Sequence, residues 1–327
     1  MKIIKKIFSI LLRVGISVAL LIYLFGHVDA RSLLKIIGNS NKPMLFLAFF
    51  ICFFSYLFCL LRWNMLLKAV KIRLPFKRVV ISFAGSVFFN LFLPSTIGGD
   101  LMRSIDLAMH TKKTKEVVAT VFLDRISGYV GLVILLLVSL SLGWRMILQD
   151  KGVFLSVTII MVTLLFILLV LFNNKVYSKI NKLLDSPNAG KIRALIRNLH
   201  EEIHIFRHKK GVIFNNIIFS VLVQITLPLT FYFVALSIGV KISIMYFFVF
   251  LPIIGAITLL PISIGGLGLR DATTIYFFSQ VGVTKDMAFA ISLLNFIFIL
   301  IYGIIGGLIY VLTVRHRRLQ YNKPSGI

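Results

Sequence analysis

Six stretches of 18 to 28 residues, each almost free of charge, limit what this chain can fold into. They are Ile7–Gly26, Met44–Leu61, Val117–Gly143, Val153–Phe172, Val212–Ile238 and Met287–Val314. Crossing the ~30 Å hydrocarbon core of a bilayer as a helix takes about 20 consecutive apolar residues. Hydrophobic residues make up 59% of the 327 residues and mean hydropathy is +0.98. Soluble domains hold about 45–50% apolar residues, so a water-soluble enzyme is excluded, and so is a disordered chain. The expected class is all-α, a polytopic membrane helical bundle built as one transmembrane domain over 1–327.

The charge distribution sets an expected orientation. Lys and Arg total 36 against 11 Asp and Glu, a net charge of +25. With a cytoplasmic N-terminus, 26 basic residues fall inside: near Lys2, in Arg62–Arg78, Asp100–Glu116 and Asn173–Gly211, and after Val314. Seven fall outside, the asymmetry of the positive-inside rule. Basic residues sorted by membrane side exclude nucleic acid as partner. Both termini are expected in the cytoplasm and the protein in a bacterial or archaeal plasma (inner) membrane. Lys2, Lys5 and Lys6 before Ile7–Gly26 resemble a signal peptide. Val28-Asp29-Ala30 is a poor cleavage site, so retention as a membrane helix is expected. Cys52 and Cys59 stand about 10 Å apart along a helix, too far for a disulfide.

Two further apolar stretches, Val79–Ile97 and Ile244–Ile264, run into proline and a glycine pair. If Val79–Ile97 crossed completely, the basic loop Asn173–Gly211 would land outside. Both stretches are therefore expected to be re-entrant, one from each side. The two motifs also match. Pro94, Ile97, Gly98, Gly99 and Arg103 align with Pro261, Ile264, Gly265, Gly266 and Arg270 at an offset of 167. The same offset carries the flanking spans, giving repeat units of approximately 44–143 and 212–312 and a cytoplasmic amphipathic loop at 173–211. This is the inverted-topology repeat with interrupted segments found in transporters. Proline ends a helix and glycines permit a tight turn, so Pro94, Gly98, Gly99, Pro261, Gly265 and Gly266 are the expected re-entrant turns.

Charges within or beside apolar segments are costly and face an interior or a cavity. Asp100, Arg103 and Asp106 fall on one helical stripe, and Asp124-Arg125 lies inside a span. A helix N-terminus with arginine suits phosphate or carboxylate. Arg103, Arg125 and Arg270 are thus candidate headgroup contacts, with Asp100, Asp124 and Asp271 as counter-charges or a coupling-cation site. Internal ion pairs holding the repeats together are the alternative reading. Asn90, Gln224 and Asn295 are expected to hydrogen-bond between helices, and Gly303 with Gly307 to form a packing face.

His200-Glu201-Glu202-Ile203-His204 matches the H-E-x-x-H pattern of zinc proteases, which would make His200 and His204 metal ligands. The apolar stripe Ile192, Leu195, Ile196, Leu199, Ile203 and Phe206 instead reads as an amphipathic surface helix. On that reading there is no metal and no cofactor. Gly190-Lys191 lacks the rest of a phosphate-binding loop, and no nucleophilic triad is visible, so no ATPase or hydrolase is expected.

Several of these residues together resemble a known family. Arg62-Trp63, Phe88-Phe89-Asn90-Leu91-Phe92-Leu93-Pro94-Ser95, Ile97-Gly98-Gly99-Asp100 with Arg103, Asp124-Arg125 with Gly128, and Pro261 with Gly265-Gly266-Leu267-Gly268 and Arg270 carry the resemblance. The chain resembles the flippase-like transmembrane domain of bacterial lysylphosphatidylglycerol synthase, which also has stand-alone relatives. That family often has Glu after the second arginine, where this chain has Asp271. The resemblance implies movement of a polar-headgroup lipid between leaflets, flippase- or scramblase-like, with membrane lipids as partners, anionic or phosphate-containing. Only Arg315–Ile327 follows the last span, so no aminoacyltransferase domain is expected here. A non-transporting accessory protein that binds a lipid-pathway enzyme is the alternative.

Overall fold

The computed structural model describes residues 30–92, 97–149, 209–258 and 266–321, with isolated positions between 15 and 26 and between 154 and 178. Among the described residues there are nine helices and no strand: α1 (Ala30–Gly38), α2 (Lys42–Ala69), α3 (Phe76–Phe92), α4 (Ile97–Thr111), α5 (Thr114–Gln149), α6 (Lys210–Ser237), α7 (Ile244–Thr258), α8 (Leu269–Ser279) and α9 (Lys285–Tyr321). The expected spans Ile7–Gly26 and Val153–Phe172, apart from isolated positions, lie outside them. So do Pro94, Pro261, Gly265, His200 and His204 and nearly all of loop 173–211.

Four helices are long and apolar enough to cross a membrane: α2, α5, α6 and α9. They contain the expected spans Met44–Leu61, Val117–Gly143 and Met287–Val314, and Val212–Ile238 up to its last residue, the C-cap of α6. The protein is an all-helical, multi-pass membrane protein. Its surface supports this, since Phe46, Phe214 and Leu312 are each more than 60% exposed and need an apolar surrounding. Local signals set the ends. Asn41 caps α2 by accepting a hydrogen bond from the Met44 N–H at 3.2 Å, with Pro43 in the first turn. Pro228 inside α6 and Pro252 inside α7 each remove one backbone donor, which membrane helices tolerate where neighbours surround the break.

The long helices pair antiparallel. Asn41 N–H donates to the Ser237 carbonyl at 2.6 Å, and Lys209 Nζ donates to the Ala69 carbonyl. Each end of α2 therefore meets the opposite end of α6, and the connections after α2 and after α6 open at opposite ends of the bundle. α3 and α9 pair the same way. Gly303 of α9 meets Leu91 near the end of α3, Gly307 meets Phe88, and Tyr310 covers Gly85. The Gly303–Gly307 pair is thus a packing face, extended by Gly306.

The shorter helices form two hairpins. α3 has 17 residues and α4 has 15, about 26 and 22 Å long, each short of the ~30 Å core. They run antiparallel, with Asn90 bonded to the Gly99 N–H at 2.9 Å near the connection and Arg78 paired with Asp106 at the far end. α7 and α8 also run antiparallel: Gly266 lies under Thr258, and Phe250 meets Phe277 with ring centroids 5.3 Å apart. Gly266 has φ +78° and sits in the connection, as a turn glycine should. Gly98 and Gly99 do not. They lie inside the first turn of α4, and Gly99 is there because a Cβ would strike the Ser86 carbonyl and Asn90 of α3.

Helices α2 to α5 and α6 to α9 correspond in order. Lys42 to Lys210 and Phe76 to Ile244 are each separated by 168 positions. The contacts correspond as well: α3 packs on α9, and α7 packs on α5. Apolar side chains of α2, α5, α6, α7, α8 and α9 form the larger core, and α2 to α5 form a second around Trp63 and Leu66.

Two outcomes follow from this packing. In a Cys52→Ser, Cys59→Ser background, Asn41→Cys combined with Ser237→Cys is expected to cross-link on mild oxidation. Asn41→Cys combined with Lys209→Cys is not; non-reducing gels of the membranes distinguish them. Gly306→Val should destabilise the protein by about 1–3 kcal/mol, because its Cβ would sit 2.6 Å from the Ala84 carbonyl oxygen, a backbone atom that cannot yield. Thermal unfolding in detergent reads that loss.

Candidate functional site

Helix α4 is built inside out. Asp100, Arg103 and Asp106 face the protein and are buried, while Leu101, Ile105 and Met109 face outward. A three-residue spacing aligns the charges on one face, and a four-residue spacing aligns the apolar side chains on the other. A helix of this kind suits an apolar surrounding with a polar protein interior.

The charges form one alternating chain. Arg62 Nε of α2 lies 2.6 Å from Asp124 Oδ1 of α5. The other oxygen, Asp124 Oδ2, accepts from Arg103 Nη2 of α4 at 2.9 Å. Arg103 Nη2 also lies 3.0 Å from Asp100 Oδ1, and Asp100 Oδ2 accepts from Arg125 Nε of α5. At one end Arg62 Nη1 donates to Ser220 Oγ of α6 at 2.9 Å. At the other end the Arg125 side chain keeps 36% of its exposure. Three guanidiniums thus meet two carboxylates, with four helices contributing. Trp63 fills the space beside the chain. Its ring lies under Arg103 at 4.7 Å, a cation–π contact, and its Nε1 donates to Thr120 Oγ1 at 3.3 Å. Arg103 Nε and Nη1 are buried without a partner among the described residues.

A second buried pair joins the α3–α4 hairpin at its open end, where Arg78 meets Asp106 with His110 Nδ1 3.0 Å from Arg78 Nη2. Both Arg62 and Arg78 were counted above with the basic connection after α2. Instead α2 continues to Ala69, and both arginines are inside the fold because carboxylates are there to receive them.

Arg270 and Asp271 lie apart from this chain, at the start of α8. Asp271 serves its own helix: Oδ2 accepts from the Gly268 N–H at 3.0 Å, and Oδ1 receives Ser292 Oγ and Arg270 Nη2. Arg270 Nε donates to Ser292 Oγ at 3.2 Å, and its guanidinium lies 5.4 Å from the Phe296 ring centre. Arg270 also faces a cavity of about 140 Å³ between α2, α6, α7, α8 and α9.

The structure therefore brings Asp100, Arg103, Asp124 and Arg125 together and keeps Arg270 and Asp271 separate. Arg62, Trp63, Thr120 and Ser220 are partners that the charge pattern did not single out. Arg62 follows an apolar run and reads as an interfacial residue until the 28-residue length of α2 is known. Gln224 bonds between helices, to the Gly128 carbonyl at 3.2 Å. Asn295 bonds within its own helix instead, to the Ile291 carbonyl.

Comparison with known proteins decides the family. The family described as lysylphosphatidylglycerol synthase TM region matches residues 10–307. The chain belongs to that family. It is also similar to the UPF0104 membrane protein PH1989 of Pyrococcus horikoshii, 23% identical over 95% of this chain and 97% of the relative. A second similar protein is the UPF0104 membrane protein MJ1078 of Methanocaldococcus jannaschii, 24% identical over 67% of this chain and 92% of the relative. The match to the lysylphosphatidylglycerol synthase TM region spans α1 to α8 and most of α9, so the charge chain and both hairpins lie within it.

Removing one partner of a buried pair leaves an uncompensated charge, at about 3–5 kcal/mol. Asp124→Ala leaves Arg62 without a carboxylate and Arg103 with Asp100 alone, and is expected to lower stability by that amount. Asp100→Ala should cost less, because Arg103 keeps Asp124 and the half-exposed Arg125 reaches solvent or headgroups. Unfolding temperatures of the two variants in one detergent test the order.

Proposed function

We propose that this member of the lysylphosphatidylglycerol synthase TM-region family is a flippase- or scramblase-like transporter, moving a polar-headgroup lipid between the leaflets of a bacterial or archaeal plasma membrane. The carrying observation is the buried chain Arg62–Asp124–Arg103–Asp100–Arg125, which ends in a half-exposed guanidinium. Burying this many charges among apolar helices is costly, and a headgroup pathway is a use that offsets the cost. Arg103, Arg125 and Arg270 are the proposed headgroup contacts, with Asp100, Asp124 and Asp271 as counter-charges.

The two hairpins support the reading. Each is too short per limb to span and each returns toward its own start. The antiparallel pairing of α2 with α6 places the connections that lead into them at opposite ends of the bundle. Re-entrant hairpins from the two sides would then let a headgroup pass through protein while acyl chains stay in lipid, the logic of inverted-repeat transporters. Basic segments on the cytoplasmic side would gather anionic lipid there.

Sealed proteoliposomes with headgroup-labelled lipids, quenched from outside, test this. Inner-leaflet label should become accessible faster with protein than without. Arg125→Gln should slow that exchange several-fold without loss of folded protein, because Arg125 ends the chain at the accessible side. Folded protein that accelerates no anionic or neutral phospholipid would favour the accessory role beside a lipid-pathway enzyme.

A further inference from the structure

Helix α7 carries Pro252 near its middle, and a side chain from another helix meets the bond that this proline removes. Pro252 has no N–H, so the Phe248 carbonyl, four residues earlier, lacks its donor within α7. Ser139 Oγ of α5 donates to that carbonyl. Serine and threonine hydroxyls inside helices usually turn back to the carbonyl four residues earlier. Ser127, Ser220 and Thr230 do so, to Leu123, Asn216 and Thr226. Ser139 reaches across to α7 instead, and it is buried there.

The first hairpin has no such break. α3 holds no proline, and polar bonds tie it to α4 at both ends, Arg78 to Asp106 and Asn90 to the Gly99 N–H. Between α7 and α8 there is no hydrogen bond among the described residues. Rings meet instead, Phe247 with Phe278 at 4.9 Å between centroids and Phe250 with Phe277 at 5.3 Å. Apolar contact is non-directional, so packed helices slide by small amounts where directional bonds would hold them. Both rings of α7 precede Pro252. After it, Ile254, Gly255 and Thr258 line the cavity of about 140 Å³, and a Cβ added at Gly255 would meet nothing within 4 Å. One half of α7 is packed on α8, and the other borders empty space.

We infer that α7 is a hinged wall: residues 253–258 turn about Pro252 into and out of the cavity, and the Ser139 hydroxyl is the latch that holds the arrangement seen here. A hinge inside a membrane helix needs a missing intrahelical bond, a replacement donor that can let go, and room to move. Pro252 supplies the first and the cavity the third. Ser139 supplies the second, because rotation of its hydroxyl exchanges the Phe248 carbonyl for the Leu135 carbonyl of its own helix. One hydrogen bond replaces another of the same kind, so the latch opens at little cost. The α3–α4 hairpin, bonded at both ends, is the fixed counterpart. Turning α7 changes access to Cys52 and Arg270, which share the cavity. The hinge stands on this packing; that its movement carries lipid rests on the transport reading.

Amide hydrogen exchange and thiol labelling of the full chain in detergent test the hinge. Cys59→Ser leaves Cys52, in the cavity wall, as the one thiol. In that background Ser139→Ala removes the latch, and Pro252→Ala restores a backbone donor to Phe248. Ser139→Ala is expected to speed both the exchange of the peptide covering α7 and the labelling of Cys52 by N-ethylmaleimide, by about threefold or more. Pro252→Ala is expected to slow both by a similar factor. The peptide covering α3 should exchange at the wild-type rate in both variants, which separates a hinge from general loosening. A purely local change in α7 would leave Cys52 unaffected. Cys52 labelled at one rate in all three folded proteins, or α3 loosening in step with α7, overturns the proposal. Lipid exchange in proteoliposomes is the separate readout. Hinge responses without lipid exchange would remove the transport reading and leave the hinge. Lipid exchange without the hinge responses would do the reverse.

Discussion

The cost of a charge away from water organises this molecule. A buried guanidinium or carboxylate is tolerated only with a partner in good geometry, and in lipid the requirement is stricter. The chain from Arg62 to Arg125 meets it by alternation. Each carboxylate oxygen has its own guanidinium donor, and every link but Arg103–Asp100, which lies within α4, crosses from one helix to another. Between helices that are apolar elsewhere there is little else to set register, because lipid tails are as apolar as leucine and drive no association. The ion chain therefore fixes where α4 sits against α2 and α5, and Ser220 extends that register to α6.

Where charge is absent, close approach takes over. Glycines of α9 lie against α3, and Gly131 of α5 lies against the Ser220 backbone of α6. Small residues let helix backbones come near enough for dispersion and backbone contacts to hold them. The two devices divide the work: ion pairs bind the α3–α4 hairpin to its own half, while glycine contacts bind α3 across to α9.

The halves share an arrangement of helices but not a chemistry. In the first half tryptophan, arginine and aspartate close the space around Arg103. In the second, a cavity with Thr230 and Phe231 in its wall lies beside Arg270.

Much of the fold was legible in the chain, because hydropathy over 20-residue windows reports directly on what a bilayer admits. The four long helices, the two short interrupted pairs and the offset between them could all be read from apolar runs and one repeated motif. The stripe Asp100–Arg103–Asp106 was legible too, from helical spacing alone. Partnership was not. Arg62 lies 62 positions from Asp124 and 158 from Ser220, and a basic residue after an apolar run is read as interfacial until its partner is seen. Nor did the Gly-Gly motif reveal that Gly99 serves a close helix contact while Gly266 serves a turn, since both look alike in sequence. The chain by itself determined the class, the four long helices that the structure describes and which residues are too costly to face lipid. The tertiary structure alone decided which charge answers which, and where space is left. Pairing and cavities depend on side chains far apart in the chain, and no local pattern records them.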